Sequence, residues 1–242
     1  MPKKGFYKRP NYYKVKGPTE PYKIFKDHHD DKESPILLGD EIIVTAIDPG
    51  YVNCGFYSMS YNIKTGKRKT ICLDRLTFEA GNERTDSIKQ FDSLERYGKY
   101  FSKSHYILVE EQMTQSIRNT RMGQHIQTYF ITRYRNIGYR PVVVEISNQT
   151  KTKVLNAPKG LPPKGKVSIK TWCHEKAIEF LEKRNSEHEE WFLKKLKNWK
   201  KADDMGDAIC YAELWYLILN SEVYHPPKPK RPNIEIEEDE EV

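Results

Sequence analysis

Short apolar runs, each closed by a polar or turn-forming residue, set the layout of the chain. Ile42, Ile43, Val44, Ala46 and Ile47 form a nearly unbroken, mostly β-branched run, the pattern of a strand buried on both faces. It stops at Asp48. Pro49-Gly50 is turn chemistry, and Cys54-Gly55-Phe56-Tyr57 resumes an apolar pattern, which predicts a second, antiparallel strand. A hairpin turn over 61–67 and a third strand over 70–78 complete a meander. Ile88, Phe91, Leu94, Tyr97 and Phe101 then recur at helical spacing and predict a helix over 86–102. The run 105–109 is a fourth strand, 115–134 a long helix, 141–144 a further strand, and 172–199 a helical stretch broken near Asn185-Ser186. The last helix opens at Asp203-Asp204 and continues through Ile209, Cys210, Tyr211, Leu214 and Trp215. Strands and helices in this order predict an α/β fold, a mixed central sheet flanked by helices.

Carboxylates stand where these elements end. Asp48 closes the first strand, and Glu110-Glu111 closes the fourth. Alternation puts Leu108 and Glu110 on one face and Glu111 on the other, so one of the two acids reaches a shared site. Asp204 and Asp207 are three residues apart and share a helix face. Like charges on a mostly apolar helix are costly unless a cation compensates them. Mg²⁺ is such a cation, being hard and oxygen-seeking. Asp203 is expected at the helix N-cap, with the small Gly206 and Ala208 leaving room for the site.

The motifs together resemble a known family. Ile47-Asp48-Pro49-Gly50 followed by Gly55, the apolar strand ending in Glu110, and Asp204-x-x-Asp207-Ala208 resemble the RuvC-type Holliday junction resolvases of the RNase H-like superfamily. Arg121-Met122-Gly123-Gln124 resembles that family's Leu-Gly-Gln helix, and Pro141-Val142-Val143-Val144 with the Lys-rich sequence after it resembles the next strand and loop. Val109-Glu110-Glu111-Gln112 and the Lys201-Ala202-Asp203-Asp204 approach look closer to the mitochondrial and large-DNA-virus branch than to the bacterial one. The resemblance spans 41–220. It implies the RNase H-like fold, selects Glu110 over Glu111, and places a dimer contact on the 115–134 helix, where Gly123 would permit close approach. It also implies a catalytic lysine just before the helix that follows the loop, either Lys166 or Lys170, with Lys164 behind them.

Charge points the same way. The formal net charge of +7 rises to +13 once the six acids after residue 234 are set aside, and a body this basic expects a polyanion. Residues 1–40 interleave lysines with Phe6, Tyr7, Tyr12, Tyr13, Tyr22 and Phe25, a composition suited to phosphate contact and base stacking. The stretch 145–171 reads as a long Lys-, Pro- and Gly-rich loop. Its Lys151, Lys153, Lys159 and Lys164, with Arg118 and Arg121 from the preceding helix, are the expected DNA contacts. The domain reading is a basic N-terminal arm (1–40), an RNase H-like nuclease domain (41–224) and a Pro-rich, then acidic tail (225–242), both termini extended or disordered. The four cysteines form no Cys-x-x-Cys pair, which argues against a zinc site or disulfide framework.

The expected activity is Mg²⁺-dependent phosphodiester hydrolysis by a homodimer that cuts four-way DNA junctions symmetrically. Asp48, Glu110, Asp204 and Asp207 would hold two Mg²⁺ ions per site, with Mn²⁺ able to substitute. The alternatives are another structure-selective nuclease of the superfamily, acting on flaps, forks or RNA–DNA hybrids, or a non-catalytic junction-binding protein. No segment is long and apolar enough for a membrane span, and no secretory signal is seen. The expected location is intracellular, wherever the DNA is. The cytoplasm or a viral replication site comes first and the nucleus next. The mitochondrion comes last, because residues 1–18 contain no serine.

Overall fold

The computed structural model describes residues 22–25, 40–50, 52–77, 83–112, 116–134, 141–162, 168–199 and 202–220. Six strands form one sheet: β1 (Tyr22–Phe25), β2 (Glu41–Asp48), β3 (Asn53–Asn62), β4 (Arg68–Thr77), β5 (Tyr106–Glu110) and β6 (Val142–Ile146), in the spatial order β1-β6-β5-β2-β3-β4. β2, β3 and β4 make the antiparallel meander, while β5 runs parallel to both β2 and β6. The nearly continuous apolar runs of β2 and β5 fall at the centre of the sheet, where helices cover both faces.

On one face lie α1 (Glu83–Arg96), α2 (Gly98–Phe101) and α3 (Ile117–Tyr134), which pack Leu94, Phe101, Ile126 and Phe130 against Ile47, Phe56, Ile107 and Val109. On the other lie α4 (Asn148–Val154), α5 (Ile169–Glu182), α6 (Glu187–Asn198) and α7 (Asp203–Asn220). There Met205, Ile209, Cys210, Ala212 and Leu214 of α7 pack against Val44, Ala46, Tyr57, Met59 and Leu108. α7 is buried almost all round over its first three turns, which explains why its sequence lacks a polar stripe. Gly206 serves this packing. A Cβ there would lie 3.2 Å from the His174 Cα on α5, so its small size brings two helices together rather than leaving room for the site.

The structure departs from the sequence reading in two further places. Tyr22–Phe25, inside the supposed arm, pairs antiparallel with β6, Tyr22 opposite Ile146, so the sheet begins before residue 41. The expected loop at 145–171 contains a helix, α4, capped by Ser147, whose Oγ accepts from the Thr150 amide at 3.3 Å. The remainder of the 1–40 segment and the acidic tail fall outside the described residues. All four cysteines are free thiols, and among the described residues no helix is long and apolar enough to cross a membrane.

Candidate active site

Strand parity decides which side chains meet. Val44 and Ala46 of β2 and Leu108 of β5 pack toward α7, whereas Ile47, Ile107 and Val109 pack toward α3. Alternation therefore sends Asp48 and Glu110 to the α7 face. Ala46 lies opposite Leu108 and Ile47 opposite Val109, so one step further Asp48 and Glu110 emerge side by side. They stand at the carboxyl end of a parallel strand pair, where α/β sheets commonly bind ligands. The same parity settles the choice between neighbouring acids: Glu110 faces Asp48, while the Glu111 amide donates to the Ile146 carbonyl at 2.8 Å. Gln112 steadies Glu110, its Nε2 donating to Oε2 at 3.2 Å.

The third group of acids arrives on α7. Gly55, directly across from Asp48, is where the amino end of this helix meets the sheet. A Cβ at Gly55 would lie 2.0 Å from the Asp204 carbonyl oxygen, so only glycine lets the backbone come so near. This contact fixes Asp204 and, one turn on, Asp207 above Asp48. Asp203 opens the helix as its first residue and accepts from Lys170 Nζ at 2.7 Å.

A cation is built into the floor. Lys151 of α4, expected to be an exposed DNA contact, is 2% exposed. Its ammonium donates to Asp207 and lies 4.5 Å from the centroid of the Tyr211 ring. Burial alone would push its pKa down, but the charges of Asp207 and Glu110 outweigh burial and hold it protonated. A short helix, not a loop, points it inward, and a buried lysine needs such partners.

The acids nevertheless repel one another. Burial, with the charges of Glu110 and Asp207, drives Asp48 well above the usual carboxylate range against the pull of Lys151. Burial also pushes Glu110 up, yet the hydrogen bond from Asp48 and the charge of Lys151 outweigh it and hold Glu110 below its ordinary value. Burial and mutual repulsion thus drive the two carboxyls apart in pKa, Asp48 up and Glu110 down, the usual outcome for adjacent carboxylates. Asp207 is raised by burial, with Lys151 opposing and Glu110 adding. Asp204 is pushed up to about 6, first by burial and then by Asp203. Over this cluster the Tyr211 phenol is driven well above its usual range by burial and by Glu110, Asp207 and Asp48. Its hydroxyl makes no hydrogen bond, so its interaction with Glu110 is electrostatic.

The comparisons with known proteins bear on this arrangement. No protein-family model matches the chain. The uncharacterized protein 170L of Invertebrate iridescent virus 6 is 31% identical over 139 residues, covering 50% of this chain and 54% of that protein. The uncharacterized protein 97L of Invertebrate iridescent virus 3 is 27% identical over 128 residues, covering 53% and 56%. Each match thus spans about half the length of the viral relative. Among solved structures, the yeast mitochondrial Holliday junction resolvase aligns with a TM-score of 0.52 and 19% identity, covering 72% of this chain and 78% of its own. This is the RNase H-like resolvase fold.

Within that fold, Asp48, Glu110, Asp204 and Asp207 come together as the sequence predicts, with Lys170 at their edge beside Asp203. Lys151 joins them unforeseen. Lys153, Lys159, Arg118 and Arg121 are exposed and contribute nothing to the buried floor, while Lys164 and Lys166 fall outside the described residues. Among the described residues no three acid, His or Cys side chains are gathered into a preformed metal shell. The donors at hand are mainly carboxylate oxygens, with the Cys173 thiol beside Asp207, and carboxylates are what a hard divalent ion selects.

Proposed function

We propose that this chain is a metal-dependent endonuclease that resolves four-way DNA junctions. The observation that carries the reading is the convergence of Asp48, Glu110, Asp204 and Asp207, from three separate elements, at one half-open end of the sheet. Four acids around one buried lysine leave negative charge uncompensated, and the upward shift of Asp48 beside Glu110 is a sign of that excess. These four residues would hold Mg²⁺, which when bound activates a water for attack on a phosphodiester and stabilises the departing 3′ oxygen.

The chain's own groups supply the rest. Asp48 and Glu110 stand on two central strands and hold their oxygens rigidly, which suits in-line displacement. Lys151 keeps Asp207 ionised and oriented, and its positive charge lowers the repulsion a DNA phosphate meets on approach. Lys170, half-exposed at the rim, is placed to touch that phosphate, in preference to Lys153 or Lys159. Lys166 stays the other candidate for that catalytic contact, and Lys164 stays within the proposed DNA-contacting set, with Arg118 and Arg121 on α3. Two matched cuts in a symmetric junction call for two sites related by a two-fold axis, so a homodimer follows from the substrate. The viral relatives fit a place of action at viral DNA replication. The domain division, with β1 added to the nuclease core, remains a basic arm, a nuclease body and an acidic tail.

The test is cleavage of a labelled four-way junction, beside linear duplex, flap and RNA–DNA hybrid controls, by wild type and Asp48→Asn with Mg²⁺, Mn²⁺ or EDTA. Paired, metal-dependent cuts in opposing strands are expected, reduced at least about a thousandfold in the variant, on the order of one essential catalytic group. Preferential cutting of flaps or hybrids would replace the substrate and leave the chemistry. Tight junction binding with no cutting in any divalent metal would overturn the enzyme reading.

A further inference from the structure

The stretch from Trp191 of α6 to its C-cap residue, Trp199, carries features the proposed chemistry does not use. Trp191 is 60% exposed, which is rare for so large an apolar ring without a partner. Beside it, Lys194, Lys195, Asn198 and Trp199 line an open groove with Trp191. Lys195 lies between the two indoles, its ammonium 5.6 Å from the Trp191 ring centroid and 4.9 Å from that of Trp199. It is anchored to β4, donating to the Leu73 carbonyl at 2.7 Å and to Asp74 at 3.2 Å. The aromatic pair is therefore held in place by the sheet.

The groove leads to the acids. The Arg75 guanidinium stands 5.5 Å from the Trp199 ring, and Arg75 lies directly across from Gly55, the residue against which the Asp204 backbone rests. Trp199 and the metal-binding end of α7 are thus neighbours through a single arginine. The sequence adds charge complementarity: Lys194, Lys195 and Lys197 precede Trp199 along the chain, and Lys200 and Lys201 follow it before Asp203. A run of cations with aromatic rings among them suits a polyanion whose units carry flat faces.

We infer that the Trp191–Trp199 surface of α6 is a stacking platform for an unpaired nucleotide of the DNA beside the cleaved phosphate. Trp191 takes the base on its open face, and Lys194 and Lys195 beside it contact the backbone. An exposed ring stacks on any base, so this surface reads strand opening and not sequence. The inference rests on the nuclease reading for its occupant, but its test does not require cutting.

The experiment measures binding of full-length wild type, Trp191→Ala and Trp191→Phe in EDTA. The probes are a 2-aminopurine-labelled single strand, a four-way junction with the probe at the branch point, and linear duplex. Wild type should quench the probe on the single strand and at the branch point. Trp191→Ala should weaken single-strand binding about tenfold and lose the quench, Trp191→Phe should keep most of both, and duplex binding should change less than about twofold. Trp191→Ala binding the single strand like wild type would overturn the platform and leave the nuclease reading intact. Wild type that binds and quenches the strand but never cuts a junction in Mg²⁺ would do the reverse. If Trp191→Ala instead converts a dimer to a monomer in sedimentation with strand binding unchanged, the surface belongs to a second copy of the chain and the inference fails.

Discussion

α7 carries two buried ionic clusters about 9 Å apart along its axis, one around Asp207 and one around Glu213, and they are built on opposite plans. Glu213 is fully buried, and both Arg68 and Arg184 pair with it. Arg184 also reaches Glu189 at 3.2 Å and donates to the Tyr57 hydroxyl and Thr70 Oγ1, each at 2.8 Å. Glu189 in turn accepts from the Thr70 amide at 2.6 Å. Two arginines meet two glutamates, and hydrogen bonds to neutral groups fill much of what is left. At the other end Asp48, Glu110, Asp204 and Asp207 face one buried lysine, and the excess shows in the upward shift of Asp48. A balanced cluster ties α6 and α7 to β3 and β4. An unbalanced one is unfinished without a cation from outside, and that imbalance separates a candidate site from a structural ion pair.

The largest effect on stability belongs to the balanced cluster. Arg184→Met removes a cation and leaves Glu213 and Glu189 buried against Arg68 alone, at a cost of about 3–5 kcal/mol. Urea denaturation should give the same loss with Mg²⁺ or with EDTA; a change below about 1 kcal/mol would show that the cluster is not closed as described. Lys151→Met sharpens the contrast. Losing this cation lets Asp207 rise further and lifts Glu110 from its lowered value, so the folded state holds protons that the unfolded chain has released. Stability then falls as pH increases through that window. The cost should be about 2 kcal/mol at pH 8 in EDTA, smaller at pH 5, and reduced by Mg²⁺, which replaces the missing charge. A loss indifferent to both pH and Mg²⁺ would make Lys151 an ordinary core residue.

The two clusters were unequally legible in the sequence. Asp48 and Glu110 could be read because each closes an apolar run, and Asp204 and Asp207 because helical spacing puts them on one face. The resemblance already preferred Glu110 to Glu111, and register, which a single chain cannot display, adds the physical reason through the packing of Leu108. Lys151 was invisible to periodicity. α4 reads Asn-Gln-Thr-Lys-Thr-Lys-Val, with no apolar stripe until its end, and its one local signal is the capping pair Ser147 and Thr150. β1 was hidden in a basic segment because an edge strand needs only one partner and little apolar sequence. The Glu213 cluster is assembled from residues 29 and 145 positions apart, although a lone glutamate inside the apolar 209–217 stretch marked a buried partner still to be found.

The smallest effect tests the imbalance itself. Asp204 titrates near 6 in the folded protein against about 3.9 in an unfolded chain. Between those values the folded state binds more protons, so wild type loses stability as pH rises from about 4 to 6, and the penalty is fully present above that. Asp204→Asn has nothing to titrate. In EDTA it should match wild type near pH 4 and exceed it at pH 7.5. The gain should stay below about 1 kcal/mol, because the side chain is partly open to water, and a Tm difference of about 2 °C would register it. Adding Mg²⁺ at pH 7.5 should reverse the order, since wild type gains binding energy that the variant largely forgoes. Glu213→Gln, the matching change in the balanced cluster, should destabilise the fold at pH 7.5 with or without Mg²⁺. If Asp204→Asn behaved like Glu213→Gln, both ends of α7 would be structural, and the excess of acids at Asp207 would lose its meaning as a demand for metal.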